Sequence, residues 1–238
     1  ARDWSGEDGI EIRNLDIFRP LVLDPGKTIE TLVRLSPDDR VIELFSRPRL
    51  SDSDWALHAR CTYRTLAQPP EPEARAETGK AATVGADALY RLTRANGLEY
   101  GEAFCRVEQT LVMGDRSAQS RLLPTAVHLD TDFSLDPTLA DAGFHGLFAL
   151  VAGAVTSDGD MSFLPVRFDR VQLVQPGATP TDVMIEVERA SPRSLLARFD
   201  FLDADGRLVA RLSGVRFKAV QLHAPVGGPD DLAYHVEA

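Results

Sequence analysis

The stretch SLDPTLADAGFHGLFALVAGA at residues 134–154 decides the fold. Asp136 can cap a helix with its carboxylate, and Pro137 then takes the first helical position, where a missing N–H costs nothing. The residues that follow are almost all apolar or small, which predicts a helix over 137–152 that is buried around most of its circumference. Such a helix must lie inside a wrapping of other elements.

Runs with strand character flank this helix on both sides. They alternate apolar and polar side chains, and Asp203-Ala204-Asp205-Gly206 joins the last two in a sequence typical of hairpins. The runs lie at 9–18, 27–36, 40–47, 55–66, 103–113, 116–123, 166–175, 182–190, 194–203 and 207–221. One buried helix wrapped by a long antiparallel sheet is the arrangement of an α+β hot-dog fold, which the sequence therefore predicts.

Composition divides the chain into four parts. The first half contains strands without a recognisable helix, the linker is rich in Pro, Glu, Ala and Gly, and the tail is rich in Gly, Pro and Asp. The second half opens with a short amphipathic helix over 86–97, which Gly97 ends. The predicted parts are a first half at 1–66, a linker at 67–85, a second half at 86–222 and a tail at 223–238.

The charge balance excludes several classes of protein. The 238 residues include 26 Lys and Arg against 36 Asp and Glu, a formal net charge of −10, and no basic run points to nucleic acid. No apolar run approaches the roughly 20 residues of a membrane span. Cys61 and Cys105 make no disulfide framework, and the His58/Cys61 pair lacks a second pair of zinc ligands. We therefore expect a cytoplasmic protein without a metal site.

Asp141 and His145 are the residues that point to chemistry. They lie four residues apart, on one face of the predicted helix, among apolar neighbours. A carboxyl group that loses hydration there has a raised pKa and can act as a general acid, with His145 orienting it. In the alternative interpretation, Asp141 only complements the helix dipole and His145 is a satisfied core histidine.

Two further segments accompany this pair. GLEYGEAF at 97–104 places Tyr100 and Gly101 before a strand, and FLPVRFDRVQL at 163–173 places Leu164-Pro165 at the entry of another. Each also has an ordinary explanation: a buried tyrosine, a turn glycine and an edge-strand proline.

Together, YGEAF (100–104), DPTLADAGFH (136–145) and LPV (164–166) resemble motifs of the polyketide synthase dehydratase family. They are similar, in this order, to the YGPxF-like, HPxLLDxxxQ/H-like and LPF/LPV-like motifs of its second hot-dog. NLDIFRPLVL (14–23) and WALHARCTY (55–63) are similar to strands of its first hot-dog. The resemblance covers nearly the whole chain and implies a double hot-dog.

The resemblance implies a reaction and its partners. Water leaves a β-hydroxyacyl thioester, carried on the phosphopantetheine of an acyl carrier protein, to give an α,β-unsaturated thioester without a metal or diffusible cofactor. Neighbouring synthase domains and a second copy of the chain are the other partners implied. Arg189, Arg193 and Arg198 are either a docking site for an acidic carrier protein or solvated strand and turn residues.

The resemblance also assigns roles to residues. Asp141 matches the acid that protonates the departing hydroxyl, and His145 matches the residue that holds this acid. The positions that match the substrate-binding wall are Tyr100, Gly101, Leu164 and Pro165.

Three departures from the family pattern stand out. Glu102 replaces a proline, and Asp136 replaces a histidine but is itself a good helix cap. The base histidine of the family lies in an HxxxGxxxxP motif, which these 238 residues lack. Because residues 1–9 look like the end of the first hot-dog helix, we expect that helix and the base to lie outside this sequence. His58 resembles a structural histidine, and His128, His223 and His235 stand in no motif.

Two alternatives to a dehydratase remain open. A dehydratase-like scaffold would bind a carrier protein or dimerise without turnover. A catalytic relative would use the same acid to isomerise a double bond or to close a pyran ring.

Overall fold

The computed structural model describes residues 10–24, 26–70, 82–124, 133–151 and 161–221. Strands dominate these ranges, and the two helices described both belong to the second half of the chain. The elements are β1 (Ile10–Ile17), β2 (Ile29–Ser36), β3 (Val41–Pro48), β4 (Ala56–Thr65), β5 (Ala82–Gly85), α1 (Ala86–Ala95), β6 (Val107–Val112), β7 (Ser117–Leu122), α2 (Pro137–Val151), β8 (Met161–Leu173), β9 (Asp182–Ser191), β10 (Ser194–Leu202) and β11 (Leu208–Gln221).

The strands form one antiparallel sheet in the order β2-β3-β4-β1-β8-β11-β10-β9-β7-β6-β5. The two halves of the chain meet where β1 pairs with β8, with Leu15 opposite Phe168. In the second half, α2 packs against β6, β7, β9 and β10, so the sheet wraps the helix as the sequence predicts.

The sequence signals that start α2 are confirmed. The backbone N–H groups of Thr138 and Leu139 donate to Asp136 Oδ1 at 2.8 and 3.4 Å, and Pro137 is the first helical residue. This cap satisfies donors that a helix otherwise leaves unpaired at its N-terminus. The helix therefore begins at a position fixed by its own sequence.

Two glycines bring α2 unusually close to the sheet. A Cβ added to Gly143 would collide with the Phe201 ring, and one added to Gly146 would collide with Ser120 Oγ and Ile185 Cδ1. A neighbouring residue, Phe144, fills the space toward β8, β10 and β11. Its ring lies 6.0, 4.9 and 5.7 Å, between centroids, from the rings of Phe168, Phe199 and Phe217.

The end of the predicted linker is the first boundary that the structure corrects. The last four residues of the predicted linker form β5, which pairs with β6 at the edge of the sheet, while residues 71–81 lie outside the described ranges. A short stretch of small residues can form such a strand because an edge strand buries little side-chain surface. The predicted tail at 223–238 also lies outside the described ranges.

Pro165 lies inside β8 and not at the start of an edge strand, which is the second correction. The sheet tolerates a proline here because the β8–β11 register shifts next to the Pro165–Phe217 pair. On the other side of β8, the pairing with β1 ends at Asp16 opposite Arg167, before the proline is reached.

Among the described residues, no helix combines the length and the apolar character that crossing a membrane requires.

Cys61 and Cys105 are free thiols, and burial raises the pKa of Cys61 to about 11.

The contact at Gly146 predicts a measurable cost of a single methyl group. Gly146→Ala should lower the free energy of unfolding by roughly 1–3 kcal/mol, because the helix must move away from Ser120 and Ile185. Urea denaturation followed by circular dichroism measures the change. Gly101→Ala is the control, since its added Cβ meets nothing within 4 Å, and its stability should stay unchanged. Equal stability of both variants would contradict the proposed close contact.

Candidate active site

Asp141 and His145 meet as the sequence predicts. His145 Nε2 lies 3.1 Å from Asp141 Oδ2, one helical turn away on α2. The imidazole is completely buried, whereas the Asp141 side chain keeps 39% of its surface exposed. The expected loss of hydration is therefore only partial: the carboxylate lies at the rim of the apolar core, where one end remains open to a reacting molecule.

Two tyrosines enclose the buried imidazole. The Tyr100 ring lies 3.9 Å from the His145 ring between centroids, and the Tyr90 ring meets it edge-on at 5.7 Å. The Tyr90 hydroxyl lies 3.3 Å from His145 Nδ1 and accepts a hydrogen bond of 3.0 Å from the Val107 N–H. Both ring nitrogens of His145 thus have polar partners inside an otherwise apolar core.

Tyr90 is the functional candidate that the sequence analysis missed. The amphipathic pattern of α1 places it toward the core together with Leu89, which is typical of a purely structural tyrosine. The sequence does carry a signal for such a role: a tyrosine on the buried face of a helix brings a hydroxyl into the core, where it needs a hydrogen-bond partner.

The segment after α1 delivers Tyr100 to the site. Gly97, with φ +81°, ends the helix, and the Leu98 N–H donates to the Thr93 carbonyl in a Schellman-type cap. The Gly101 carbonyl then accepts from the N–H groups of Phe104 and Cys105 at 2.9 and 3.2 Å. These turns replace the strand predicted from residue 103, since β6 begins only at Val107.

Leu164 and Pro165 lie half-buried on β8, opposite Lys218 and Phe217 of β11. The Phe217 ring packs against Phe144 of α2, which links this part of the sheet to the helix that carries Asp141. The two residues thus belong to the same core as the candidate site, but the hydrogen bonds around His145 do not involve them.

Both tyrosines of the site are weak acids here. Burial raises the pKa of Tyr90 to about 12, and burial together with the nearby Asp141 carboxylate raises the pKa of Tyr100 still further. Each phenol therefore keeps its proton at neutral pH and remains a hydrogen-bond donor.

The other predicted candidates lie elsewhere. His58 is buried on β4, where its Nε2 lies 2.7 Å from Ser46 Oγ and its Nδ1 lies 3.3 Å from the Arg19 carbonyl oxygen. Arg189 and Arg193 are exposed at the β9–β10 hairpin, and Arg198 pairs with Glu186. His128, His223 and His235 lie outside the described residues, within which no metal-binding group of three or more His, Cys, Asp or Glu occurs.

Comparison with known proteins identifies the family. The family model for the polyketide synthase dehydratase N-terminal domain matches residues 67–225, more than half of the chain. The chain belongs to the polyketide synthase dehydratase family. This dehydratase domain is 22% identical to polyketide synthase PksN of Bacillus subtilis over 94% of its length, and 24% identical to highly reducing polyketide synthase ALT1 of Alternaria alternata over 93%. It spans only 4% and 9% of those two proteins.

Solved structures confirm the double hot-dog fold. The dehydratase domain from the CurJ module of curacin polyketide synthase is 20% identical, with a TM-score of 0.78 over 95% of this chain and 78% of that one. The dehydratase domain of PpsC from Mycobacterium tuberculosis, in complex with C12:1-CoA, is 21% identical, with a TM-score of 0.70 over 89% and 75%. The predicted fold class is therefore correct.

The raised pKa of Tyr90 predicts how stability depends on pH. The phenol of an unfolded chain ionises near pH 10.0, whereas the folded Tyr90 keeps its proton to about pH 12. Its contribution is complete below pH 10 and is lost between these values, by about 1.4 kcal/mol per pH unit. Tyr90→Phe should therefore show a shallower fall in unfolding free energy over this window, measured by urea denaturation at several pH values. Parallel curves for both proteins would contradict the assignment.

Proposed function

We propose that this dehydratase domain is catalytically active and eliminates water from a β-hydroxyacyl thioester to give an α,β-unsaturated thioester. The observation that carries the proposal is the Asp141 carboxyl group, held through Oδ2 by a buried histidine while its side chain remains partly exposed. An acid for this reaction needs both properties, because it must be oriented and must also reach the substrate.

In the proposed reaction, Asp141 acts as the general acid. A base removes the α-proton of the acyl chain, the electron pair forms the carbon–carbon double bond, and the bond from the β-carbon to oxygen breaks. The proton of Asp141 passes to the departing oxygen, which leaves as water. A hydrogen bond from His145 then stabilises the carboxylate that remains, so the site favours the charge that develops during the reaction.

We assign the substrate-binding wall to Tyr100, Gly101, Leu164 and Pro165. The Tyr100 ring lies against His145, and this position beside the Asp141–His145 pair supports a role for its phenol in hydrogen bonding a bound thioester. Gly101 is exposed in the following turn, and Leu164 and Pro165 would contribute apolar surface for the acyl chain.

The base is proposed to be a histidine outside these 238 residues. The family places it in an HxxxGxxxxP motif, which this sequence lacks. His58 is a poor substitute, because it is buried and both of its ring nitrogens have polar neighbours within the first half of the chain.

Carrier protein and synthase partners follow from the same proposal. The substrate would arrive on the phosphopantetheine of an acyl carrier protein, within a cytoplasmic and homodimeric synthase. PksN and ALT1 support the presence of neighbouring domains, since this chain matches only a small part of each. Arg189 and Arg193, exposed on the β9–β10 hairpin, are candidates for contact with an acidic carrier surface.

A second candidate function is double-bond isomerisation. One of the similar structures is a variant of GphF DH1 described as isomerase-inactive, which is 24% identical with a TM-score of 0.73. An acid beside a bound unsaturated thioester can also return a proton to carbon, so Asp141 and His145 suit this reaction too.

The test uses Asp141→Asn in the dehydratase with its neighbouring synthase segments, supplied with a β-hydroxyacyl carrier thioester. Dehydration should fall by roughly 100-fold or more, because the amide cannot donate the acid proton. Mass spectrometry of the acyl chain measures the loss of one water. Asp205→Asn, in the exposed β10–β11 turn, is the matched control and should react at the wild-type rate.

The same assay separates the alternatives. Full dehydration by Asp141→Asn would refute the acid assignment. With an α,β-unsaturated carrier thioester as the substrate, conversion by the wild type at unchanged mass would identify isomerisation or ring closure, and carrier binding without conversion of either substrate would identify a scaffold.

A further inference from the structure

We propose that Tyr90 is a positioning residue: its hydroxyl fixes the tautomer of His145 so that Nε2–H donates to Asp141. The inference rests on the proposed function, because it explains how the histidine beside the acid is oriented. It depends on a continuous chain of contacts from the Val107 backbone through Tyr90 and His145 to Asp141.

The donor and acceptor roles along these hydrogen bonds are set by the backbone N–H of Val107. The Val107 N–H can only donate, so at 3.0 Å it makes the Tyr90 oxygen an acceptor. The phenolic proton has His145 Nδ1, 3.3 Å away, as its described acceptor, and we assign the unprotonated nitrogen of the imidazole to this position. A neutral imidazole carries one proton, so this proton resides on Nε2, facing Asp141 Oδ2 at 3.1 Å.

The opposite tautomer would harm the proposed chemistry. An unprotonated Nε2 would either repel the carboxylate or bind the acid proton that the substrate needs. With the proton on Nε2, the hydrogen bond orients the Asp141 carboxyl group and strengthens once the carboxylate has formed. The hydroxyl of Tyr90 would therefore influence catalysis without touching the substrate.

The buried surroundings of His145 hold this tautomer in place. The imidazole is fully buried, so water cannot replace either partner, and the Tyr100 ring lies against its face at 3.9 Å. Tyr90 is 8% exposed and, with its raised pKa, keeps its proton. The backbone of β6 thus transmits a fixed hydrogen-bond direction to a side chain on α2.

The first experiment measures the tautomer directly, by ¹⁵N NMR of the histidine side chains at mildly alkaline pH. The Asp141→Asn protein is the starting point, because its amide can donate as well as accept and leaves Tyr90 as the group that selects the tautomer. We expect His145 to remain in the Nε2–H form in Asp141→Asn and to lose this preference in Asp141→Asn/Tyr90→Phe. The resonances missing from His145→Gln assign the signals.

A matched control separates positioning from general loss of stability. Thr110→Val removes another buried hydroxyl, which lies 2.9 Å from Ser120 Oγ near Gly146 and takes no part in the described hydrogen bonds of His145. It should destabilise the fold to a similar degree as Tyr90→Phe while leaving the His145 signals unchanged. An unchanged tautomer in Asp141→Asn/Tyr90→Phe, or the same change in Asp141→Asn/Thr110→Val, would overturn the proposal.

The second experiment measures turnover of Tyr90→Phe in the dehydratase with its synthase segments. The kcat should fall roughly tenfold to a hundredfold with little change in KM, since an unpartnered Nδ1 disorders the histidine and not the substrate contacts. A change in KM alone would refute positioning. Failure of one proposal can be told apart from failure of the other. Full activity of Asp141→Asn would refute the role of Asp141 as the acid, whereas the NMR result tests Tyr90 without any turnover.

Discussion

The close contact of α2 with the sheet is the constraint on which the rest of the structure depends. At Gly143 and Gly146 the helix lies so near β7, β9 and β10 that a methyl group would meet the side chains of Phe201, Ser120 and Ile185. This contact fixes the rotation of the helix about its axis. With the glycines against the sheet, Asp141 and His145 are turned toward α1 and the segment that follows it. The geometry of the candidate site is therefore a consequence of core packing.

The site itself is a short polar chain in an apolar environment. A buried imidazole costs free energy unless both nitrogens find partners, and here Tyr90 and Asp141 supply them at 3.3 and 3.1 Å. The same requirement that stabilises the fold also orients the acid. Of these hydrogen-bonded residues, only Asp141 extends to the surface. The buried residues therefore stabilise the fold, while the carboxyl group of Asp141 stays available for chemistry.

The junction of the two halves has its own polar anchor. Glu11 of β1 is 2% exposed and accepts hydrogen bonds from Arg64 of β4 and Gln172 of β8, and it also pairs with Arg13. Burial raises the pKa of this carboxyl group, but the bonds from Arg13 and Arg64 outweigh burial and lower it overall. A charged group at this seam ties together three strands from both halves of the chain.

The sequence by itself determined the features that depend on neighbours along the chain: the capped start of α2, its apolar face, the Asp141–His145 pair and most strands. Local sequence suffices for these because caps and side-chain periodicity act within one or two turns. The tertiary structure alone decided the β5 pairing, the place of Pro165 inside β8, the partial exposure of Asp141 and the contact of Tyr90 with His145. Each of these depends on residues far apart in sequence, whose distance is set only when the helix packs against the sheet.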